Sequence, residues 1–158
     1  MAAAFVLAIL IQQFIVKPFA IPSPSMEPTL VQGDRVLVNR LAYHFRSPKS
    51  GDVIVFHPPG REGSEPFIKR VVAVAGDTVS VHDGRLWVNG VALEEPFIKE
   101  RPILGVFAEV TVPADCVWAM GDNRNNSGDS RVFGEVPMEN IIGVAFAVYW
   151  PPSHWSGL

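Results

Sequence analysis

From residue 30 onward, short apolar segments rich in β-branched residues alternate with turns built from Gly-Asp, Asn-Gly and proline. These segments predict short strands rather than helices, because glycine and proline interrupt any longer helical pattern. The 14 prolines and 13 glycines among 158 residues favour the same interpretation, and the length suits one domain with its own core. We therefore predict an all-β fold of mainly antiparallel sheets that form a partly closed barrel.

The strands can be placed from their apolar runs and from the turns that flank them. We predict strands at residues 33–41, 51–56, 67–74, 106–112, 116–120 and 141–150. Asp83-Gly84 and Asn89-Gly90 are pairs typical of tight turns. They separate three short strands, predicted at residues 78–81, 85–88 and 91–93. These strands predict a small hairpin excursion from the main sheet, within about residues 78–116. Residues 137–140 predict a single helical turn.

The N-terminal segment, residues 1–16, carries no charge, and its only polar side chains are Gln12 and Gln13. A helix needs about 17–20 apolar residues to cross a bilayer, so the run is short for a membrane span. A buried core helix is the alternative interpretation. We predict a short apolar transmembrane helix at residues 1–18, with Lys17 reaching the interface and Pro18 ending the helix. Residues 19–158 then form the β-rich domain.

Composition excludes several functions. The net charge of -3 provides no basic surface for nucleic acid. Cys116 is the only cysteine, so no disulfide can form within the chain. We predict neither a metal nor another cofactor, since no metal-ligand spacing relates the four histidines, which are His44, His57, His82 and His154.

Lys69 is the side chain whose surroundings point most clearly to chemistry. Side chains alternate along a strand at residues 67–74, so Lys69 and Arg70 face opposite sides. The cation that faces the apolar interior is desolvated, and desolvation lowers a lysine pKa by up to about 3–5 units. A neutral lysine amine can accept a proton from a serine hydroxyl, whereas arginine does not deprotonate. If such a pair exists, Lys69 is its base, and Ser25, in a loop stiffened by prolines, is the candidate nucleophile.

Other polar side chains could support this pair. Ser23 could donate its hydroxyl to an oxyanion, beside the backbone N–H of Ser25. In the polar run after Met120, Ser127 could orient the lysine amine. Asp129 could form a structural ion pair with Arg131. The same run could also be an Asx and glycine loop that satisfies its own backbone, and Ser25 alone could be a turn residue.

Four stretches follow one another along the chain: PSPSMEPTL, GDRVLVNR, FIKRVVAVAGD and GDNRNNSGDSR. In this order they resemble the four boxes of the bacterial type I signal peptidases (leader peptidases, peptidase family S26), and the resemblance extends to about residue 148. It implies a membrane-anchored serine endopeptidase that removes N-terminal signal peptides from exported preproteins with a Ser-Lys dyad. It also implies cleavage after small residues at Ala-x-Ala-type sites, a lipid bilayer as partner, and no metal or cofactor.

The resemblance assigns a role to each matching position. Ser25 corresponds to the nucleophile, Lys69 to the general base, and Ser23 with the Ser25 N–H to the oxyanion hole. Ser127 corresponds to the serine that orients the lysine. The supporting residues correspond to Asp129 and Arg131. The pocket for small P1 and P3 side chains corresponds to Phe19, Ile21, Pro22, Met26, Leu30, Val36, Phe67 and Ile68.

The chain departs from the family pattern in three places. Pro24 stands where many members have glycine, and Ala75 stands where many have proline. Residues 77–121 are few, so the large accessory β-domain of some members is expected to be reduced to a hairpin.

The family also implies a location. Its members are held by an anchor in the bacterial cytoplasmic (inner) membrane, here a single-pass one, with the catalytic domain on the extracytoplasmic side. An apolar rim near Phe19, Trp150 and Trp155 would then lie at the lipid surface.

Two other functions fit parts of the pattern. A self-cleaving repressor also uses a Ser-Lys pair, but it would need a DNA-binding helix-turn-helix and a basic face, and the sequence predicts neither. A catalytically idle, membrane-tethered β-domain could bind peptides, but it would have no need of Ser25 and Lys69 together.

Overall fold

The computed structural model describes residues 15–61 and 63–158, and these ranges form twelve strands in two antiparallel sheets. The strands are β1 (Val16–Ala20), β2 (Arg35–Asn39), β3 (Val53–Phe56), β4 (Phe67–Val74), β5 (Thr78–His82), β6 (Arg85–Val88), β7 (Val91–Ala92), β8 (Phe107–Thr111), β9 (Cys116–Met120), β10 (Val136–Pro137), β11 (Ile141–Trp150) and β12 (Ser156–Gly157). Helical segments are short: α1 (Ala42–Phe45), α2 (Ser130–Phe133) and 3-10 turns at Pro24–Met26, Met138–Asn140 and Pro152–His154.

The larger sheet has the strand order β1-β2-β11-β3-β4-β9-β10, and β12 pairs with β11 outside this path. Bulges interrupt the pairing of β11 with β2 and β3 and of β4 with β9, and bulges of this kind increase strand twist and bending. The sheet is a half-barrel, so the predicted mainly antiparallel, partly closed barrel is confirmed.

Strand β3 shows why the larger sheet is stable, because all four of its residues are buried. Val53 and Val55 pack into one hydrophobic cluster with Met26, whereas Ile54 and Phe56 pack into a second cluster on the opposite face. Both faces of the sheet are therefore covered, and an uninterrupted apolar run is what such a strand requires.

The smaller sheet, in the order β7-β6-β5-β8, occupies the predicted hairpin excursion. It shares a core with the larger sheet through Val79, Val81 and Leu86 on one side and Trp118 and Met120 on the other. The segment is thus a four-stranded sheet rather than a hairpin. Its fourth strand, β8, returns to pair with β5, a long-range pairing that the local turn signals do not encode.

The N-terminal prediction is wrong at its C-terminal end. Val16–Ala20 is a strand, β1, antiparallel to β2, with Phe19 opposite Val36. Pro18 does not end a helix. It lies within an edge strand, where a residue that lacks an N–H group is tolerated. Residues 1–14 of the predicted anchor lie outside the described ranges. Among residues 15–61 and 63–158, no helix combines the length and apolarity that a membrane crossing requires.

Candidate active site

Strand β4 and the 3-10 turn Pro24–Met26 bring Lys69 and Ser25 together, 44 positions apart in the sequence. The Lys69 Nζ donates to the Ser25 Oγ at 2.7 Å and to the backbone carbonyl of Ile68 at 3.0 Å. Both residues are buried, with 4% of Lys69 and 7% of Ser25 exposed. The base and the hydroxyl therefore lie within proton-transfer distance.

Burial controls the protonation of Lys69. It lowers the pKa of the amine from 10.5 to about 8, and the negative charges of Asp129 and Asp122 partly oppose this shift. An amine with this pKa is neutral in about one molecule in ten at pH 7. Lys69 can therefore act as a base near neutral pH, which an exposed lysine cannot do to a useful extent.

Ser23 supplies a second hydroxyl beside the first. Its Oγ donates to the Ser25 Oγ at 3.2 Å, and Pro22 and Pro24 restrict the backbone on both sides. Ser23 has extended backbone angles at the N-terminal boundary of the 3-10 turn, with φ of -144° and ψ of 160°. This geometry holds a hydrogen-bond donor next to the oxygen that would attack a carbonyl.

A cavity of about 260 Å³ opens beside the two serines and Lys69. Its walls are mostly apolar, and they consist of Pro22, Ser23, Ser25, Glu65, Pro66, Phe67, Ile68, Lys69 and Gly128. Three of the predicted pocket residues, Pro22, Phe67 and Ile68, therefore line it.

The other predicted pocket residues do not reach this wall. Ile21, Met26, Leu30 and Val36 are at most 2% exposed and lie in the hydrophobic cluster that includes Ile68. Phe19 is half-buried and packs against the same cluster. Ile21, Met26, Leu30 and Val36 therefore support the wall from within the core, and the substrate-pocket role of these four residues and of Phe19 stays a prediction.

Ser127 lies close to this site but does not bind the lysine amine. Its Oγ is buried without a hydrogen-bond partner among the described residues, and it packs against Gly121. Lys69 donates instead to Ser25 and to the Ile68 carbonyl. The lysine-orienting role of Ser127 stays a prediction.

Asp129 organises the polar loop that follows β9. Both of its oxygens accept hydrogen bonds from the Arg131 guanidinium at 2.8 Å, and Asp129 is fully buried. The backbone N–H of Gly121 donates to the same carboxylate at 3.1 Å. At the start of α2, Asp129 also accepts from the Arg131 N–H. One carboxylate thus joins both ends of the loop.

A second ion pair, which the sequence did not predict, lies beneath the site. Arg70 donates to both oxygens of Asp122, at 2.8 and 2.7 Å, and Thr29 Oγ1 donates to Asp122 at 2.6 Å. The Arg70 guanidinium also lies 4.2 Å from the Phe97 ring centroid. Strand alternation separates Arg70 from Lys69, but the sequence carries no signal for the partner of Arg70, because Asp122 lies 52 positions away.

Asn123 was also missed, although it connects the polar loop directly to the nucleophile turn. Its backbone N–H donates to the Ser25 carbonyl at 3.0 Å, and its Nδ2 donates to the Pro24 carbonyl at 3.1 Å. The polar loop therefore holds the backbone on which the Ser25 hydroxyl depends.

Gly121 is expected to tolerate no side chain. A Cβ there would collide with the Ser25 backbone carbonyl and the Ser127 side chain. We predict that Gly121→Ala lowers kcat/KM for a peptide substrate by about 100-fold, because a displacement of about 1 Å can cost that much. Gly157→Ala should be neutral, since its Cβ would meet open space. Near-normal steady-state kinetics for Gly121→Ala would contradict this account of the loop.

Comparisons with known proteins show which family the chain resembles. The family described as "Signal peptidase, peptidase S26" matches residues 1–150. "Probable signal peptidase I-1" of Synechocystis sp. is 48% identical over 161 residues, which cover 98% of this chain and 82% of the relative. "Thylakoidal processing peptidase 1, chloroplastic" of Arabidopsis thaliana is 42% identical over 159 residues, which cover 95% of this chain and 46% of the relative. The crystal structure of a signal peptidase I from Enterococcus faecalis aligns with a TM-score of 0.53 and 30% identity, over 63% of this chain and 97% of that one.

Proposed function

This chain belongs to the signal peptidase family, peptidase S26, and we propose that it cleaves signal peptides from exported preproteins with a Ser25-Lys69 dyad. The family membership and the similar signal peptidases support a peptidase activity. The observation that carries the assignment of the dyad is the 2.7 Å contact between the Lys69 Nζ and the Ser25 Oγ inside a largely apolar site.

The reaction would follow the two-step course of serine peptidases. Neutral Lys69 removes the proton of the Ser25 hydroxyl as its oxygen attacks the scissile carbonyl. Lys69 then returns the proton to the departing amine, and an acyl-enzyme remains on Ser25. In the second step Lys69 removes a proton from water, which hydrolyses the ester. The Ser23 hydroxyl and the Ser25 N–H stabilise the oxyanion, and each such donor contributes about 3 kcal/mol.

The cavity supports a preference for small side chains at the cleavage site. Its volume of about 260 Å³ is shared by the catalytic groups and by apolar walls that include Pro22, Phe67 and Ile68. We propose that residues of an Ala-x-Ala-type site occupy it and that bulky side chains at the cleaved position are excluded. Burial of a small apolar side chain would also remove water from around Lys69, which favours its neutral form.

The relatives include bacterial and thylakoidal enzymes, which supports a membrane-associated peptidase. Apolar side chains are exposed near the C-terminus: Phe146 at 42%, Trp150 at 51%, Trp155 at 69% and Leu158 at 38%. Tryptophan suits the boundary between lipid and water. We propose that this rim contacts the bilayer and that a single-pass anchor holds the domain at the outer face of a bacterial inner membrane.

Cleavage of a preprotein tests the proposed function. The purified chain, in detergent or vesicles, would be incubated with a preprotein that carries an Ala-x-Ala site, and mass spectrometry would locate the new N-terminus. We expect one cut after the second alanine, and we expect that a bulky residue in place of that alanine prevents it. Binding of the preprotein without cleavage would instead identify a peptide-binding module without catalytic activity.

Replacement of Ser23 by alanine is expected to lower kcat by about 10²–10³, the usual effect of losing one oxyanion donor. KM should change little, because the hydroxyl binds the ground-state carbonyl only weakly. Ser23→Thr should keep part of the rate if the branched side chain finds the same rotamer. If steady-state kinetics showed a higher KM and an unchanged kcat, Ser23 would be assigned to substrate binding and not to the oxyanion hole.

A further inference from the structure

A buried ion pair between Glu95 and Arg124 lies outside the dyad and the cavity beside it. The Arg124 Nη1 and Nη2 donate to the two carboxylate oxygens of Glu95 at 2.8 and 2.6 Å. The exposed side-chain fractions are 0% for Arg124 and 4% for Glu95. Arg124 is the bulkiest fully buried side chain among the described residues.

Stability alone is a poor explanation for this pair. Removing two charges from water is costly, and replacing a buried ion pair with apolar residues of similar size is often neutral or stabilising. Glu95 also lies outside the four sequence stretches that resemble the family boxes. It belongs to the connection between β7 and β8, and it is 29 positions from its partner.

Arg124 uses its Nε to hold the polar loop. Its Nε donates to the Gly121 carbonyl at 2.8 Å, while the Arg131 Nη2 donates to the Arg124 carbonyl at 2.7 Å. The Arg124 side chain and backbone therefore contact the first and last residues of the segment 121–131. Because both guanidinium nitrogens that face Glu95 are bound by its carboxylate, Glu95 determines the direction in which Nε points.

The loop held in this way contacts the nucleophile turn. Gly121 packs against the Ser25 carbonyl, and Asn123 donates to the carbonyls of Ser25 and Pro24. The connection that carries Glu95 is joined to the loop at a second point, where the backbone N–H of Lys99 donates to the Asp122 carbonyl at 3.0 Å. A shift of Arg124 would thus be transmitted to Ser25 through backbone hydrogen bonds.

We infer that Glu95 is a positioning residue for the proposed peptidase reaction, acting through Arg124 to fix the 121–131 loop against the Ser25 turn. Glu95 contacts neither Ser25 nor Lys69, so it acts on the position of the Ser25 hydroxyl and not on the pKa of Lys69. The smaller sheet therefore contributes to the reaction, because its connection between β7 and β8 carries the Glu95 carboxylate that orients the loop. This inference rests on the proposed function, since it requires a reaction at Ser25.

The first test compares Glu95→Gln with Glu94→Gln, the same chemical change at the neighbouring position. The Glu94 side chain is 75% exposed and makes only loose ion pairs, at 3.5 Å with Arg85 and 3.7 Å with Arg101. We expect Glu95→Gln to lower kcat on a signal-peptide substrate by about 10–100-fold, with KM changed less than about threefold, because misplacement affects the transition state most. Glu94→Gln should match the unsubstituted protein.

A second variant separates positioning from folding, because Glu95→Gln leaves a buried arginine unpaired and could unfold the chain. The double variant Glu95→Leu with Arg124→Met removes both charges while keeping the volume similar. We expect the double variant to remain folded although it loses the bond from Nε to the Gly121 carbonyl, and we expect its kcat to be lowered by about 10–100-fold with the same apparent pKa in its pH profile. A stable double variant with normal kcat would overturn the inference.

The outcomes also distinguish the two proposals. If the unsubstituted protein does not cleave the preprotein, the proposed function fails. If the unsubstituted protein cleaves it and both Glu95 variants retain normal kcat, only the positioning role of Glu95 fails. The pair would be purely structural if kcat of Glu95→Gln fell only in proportion to the amount of folded protein and the double variant kept a normal kcat.

Discussion

Replacement of Lys69 by arginine is expected to abolish cleavage although the positive charge is kept. The Ser25 hydroxyl must pass its proton to a neutral nitrogen, and burial lowers the pKa of the Lys69 amine to about 8. A guanidinium has a pKa above about 12 and stays protonated in proteins. Lys69→Arg therefore removes the base without removing the charge, and Lys69→Met should be equally inactive.

The pH dependence of the unsubstituted protein follows from the same pKa. Below about pH 8 the Lys69 amine is mostly protonated, so kcat/KM should rise about tenfold per pH unit as the pH increases toward that value. Above about pH 8 the amine is mostly neutral, and kcat/KM should become constant. The profile should therefore rise with pH through an apparent pKa well below the value of 10.5 for an ordinary lysine.

Lys99→Arg is the matched control for this prediction. Lys99 forms an exposed ion pair with Glu27 at 2.6 Å, so arginine should substitute there without changing either the rate or the profile. Circular dichroism would establish that the Lys69 variants are folded. Measurable turnover by a folded Lys69→Arg variant would exclude a neutral amine as the base.

Replacement of Ser25 by alanine is expected to lower kcat by at least about 10⁴-fold, since no covalent intermediate can form. The Ser23 hydroxyl lies 3.2 Å from the Ser25 Oγ, but Lys69 donates to Ser25, so Ser23 should not replace it as nucleophile. The variant should remain folded and should still bind a signal peptide. Discontinuous assays over long incubations, with the products identified by mass spectrometry, would measure the residual rate.

Ser153→Ala is the control for Ser25→Ala, because Ser153 is exposed in the 3-10 turn Pro152–His154. It should leave turnover unchanged. Near-normal cleavage by Ser25→Ala would mean that another residue is the nucleophile, and Ser23 would be the first candidate. A fluorophosphonate or other serine-directed probe would show which hydroxyl is modified.

Most strands were predictable because each depends on a local pattern. The bounds predicted for β4 and β11 agree with the structure, and β9 was placed at Cys116–Met120. Apolar runs bounded by Gly-Asp or proline leave little choice of conformation, and β4 also places Lys69 and Arg70 on opposite faces. The pairing that turns the excursion into a sheet was not predictable, because β5 and β8 are separated by a long connection.

The N-terminal error has a similar cause. An uncharged apolar run followed by Lys17-Pro18 is compatible with the end of a helix when it is considered alone. The neighbouring strand determines the conformation of this segment. Strand β2 has an unpaired edge, and Val16–Ala20 pairs with it along its whole length, from Val16 opposite Asn39 to Ala20 opposite Arg35. Backbone hydrogen bonds to a distant strand outweigh a weak local helix preference.

Local patterns in the sequence were enough to predict a strand-rich, partly closed barrel and to find the four stretches that resemble the family boxes. The sequence also indicated that the lysine and not the arginine of β4 could be a base, because apolar neighbours and strand alternation are local properties. Local patterns did not reveal which residues line the cavity, that Asp122 pairs with Arg70, or that Glu95 binds Arg124. Those contacts join segments that are far apart in the chain, and their energies depend on burial, which exists only after the sheets have packed.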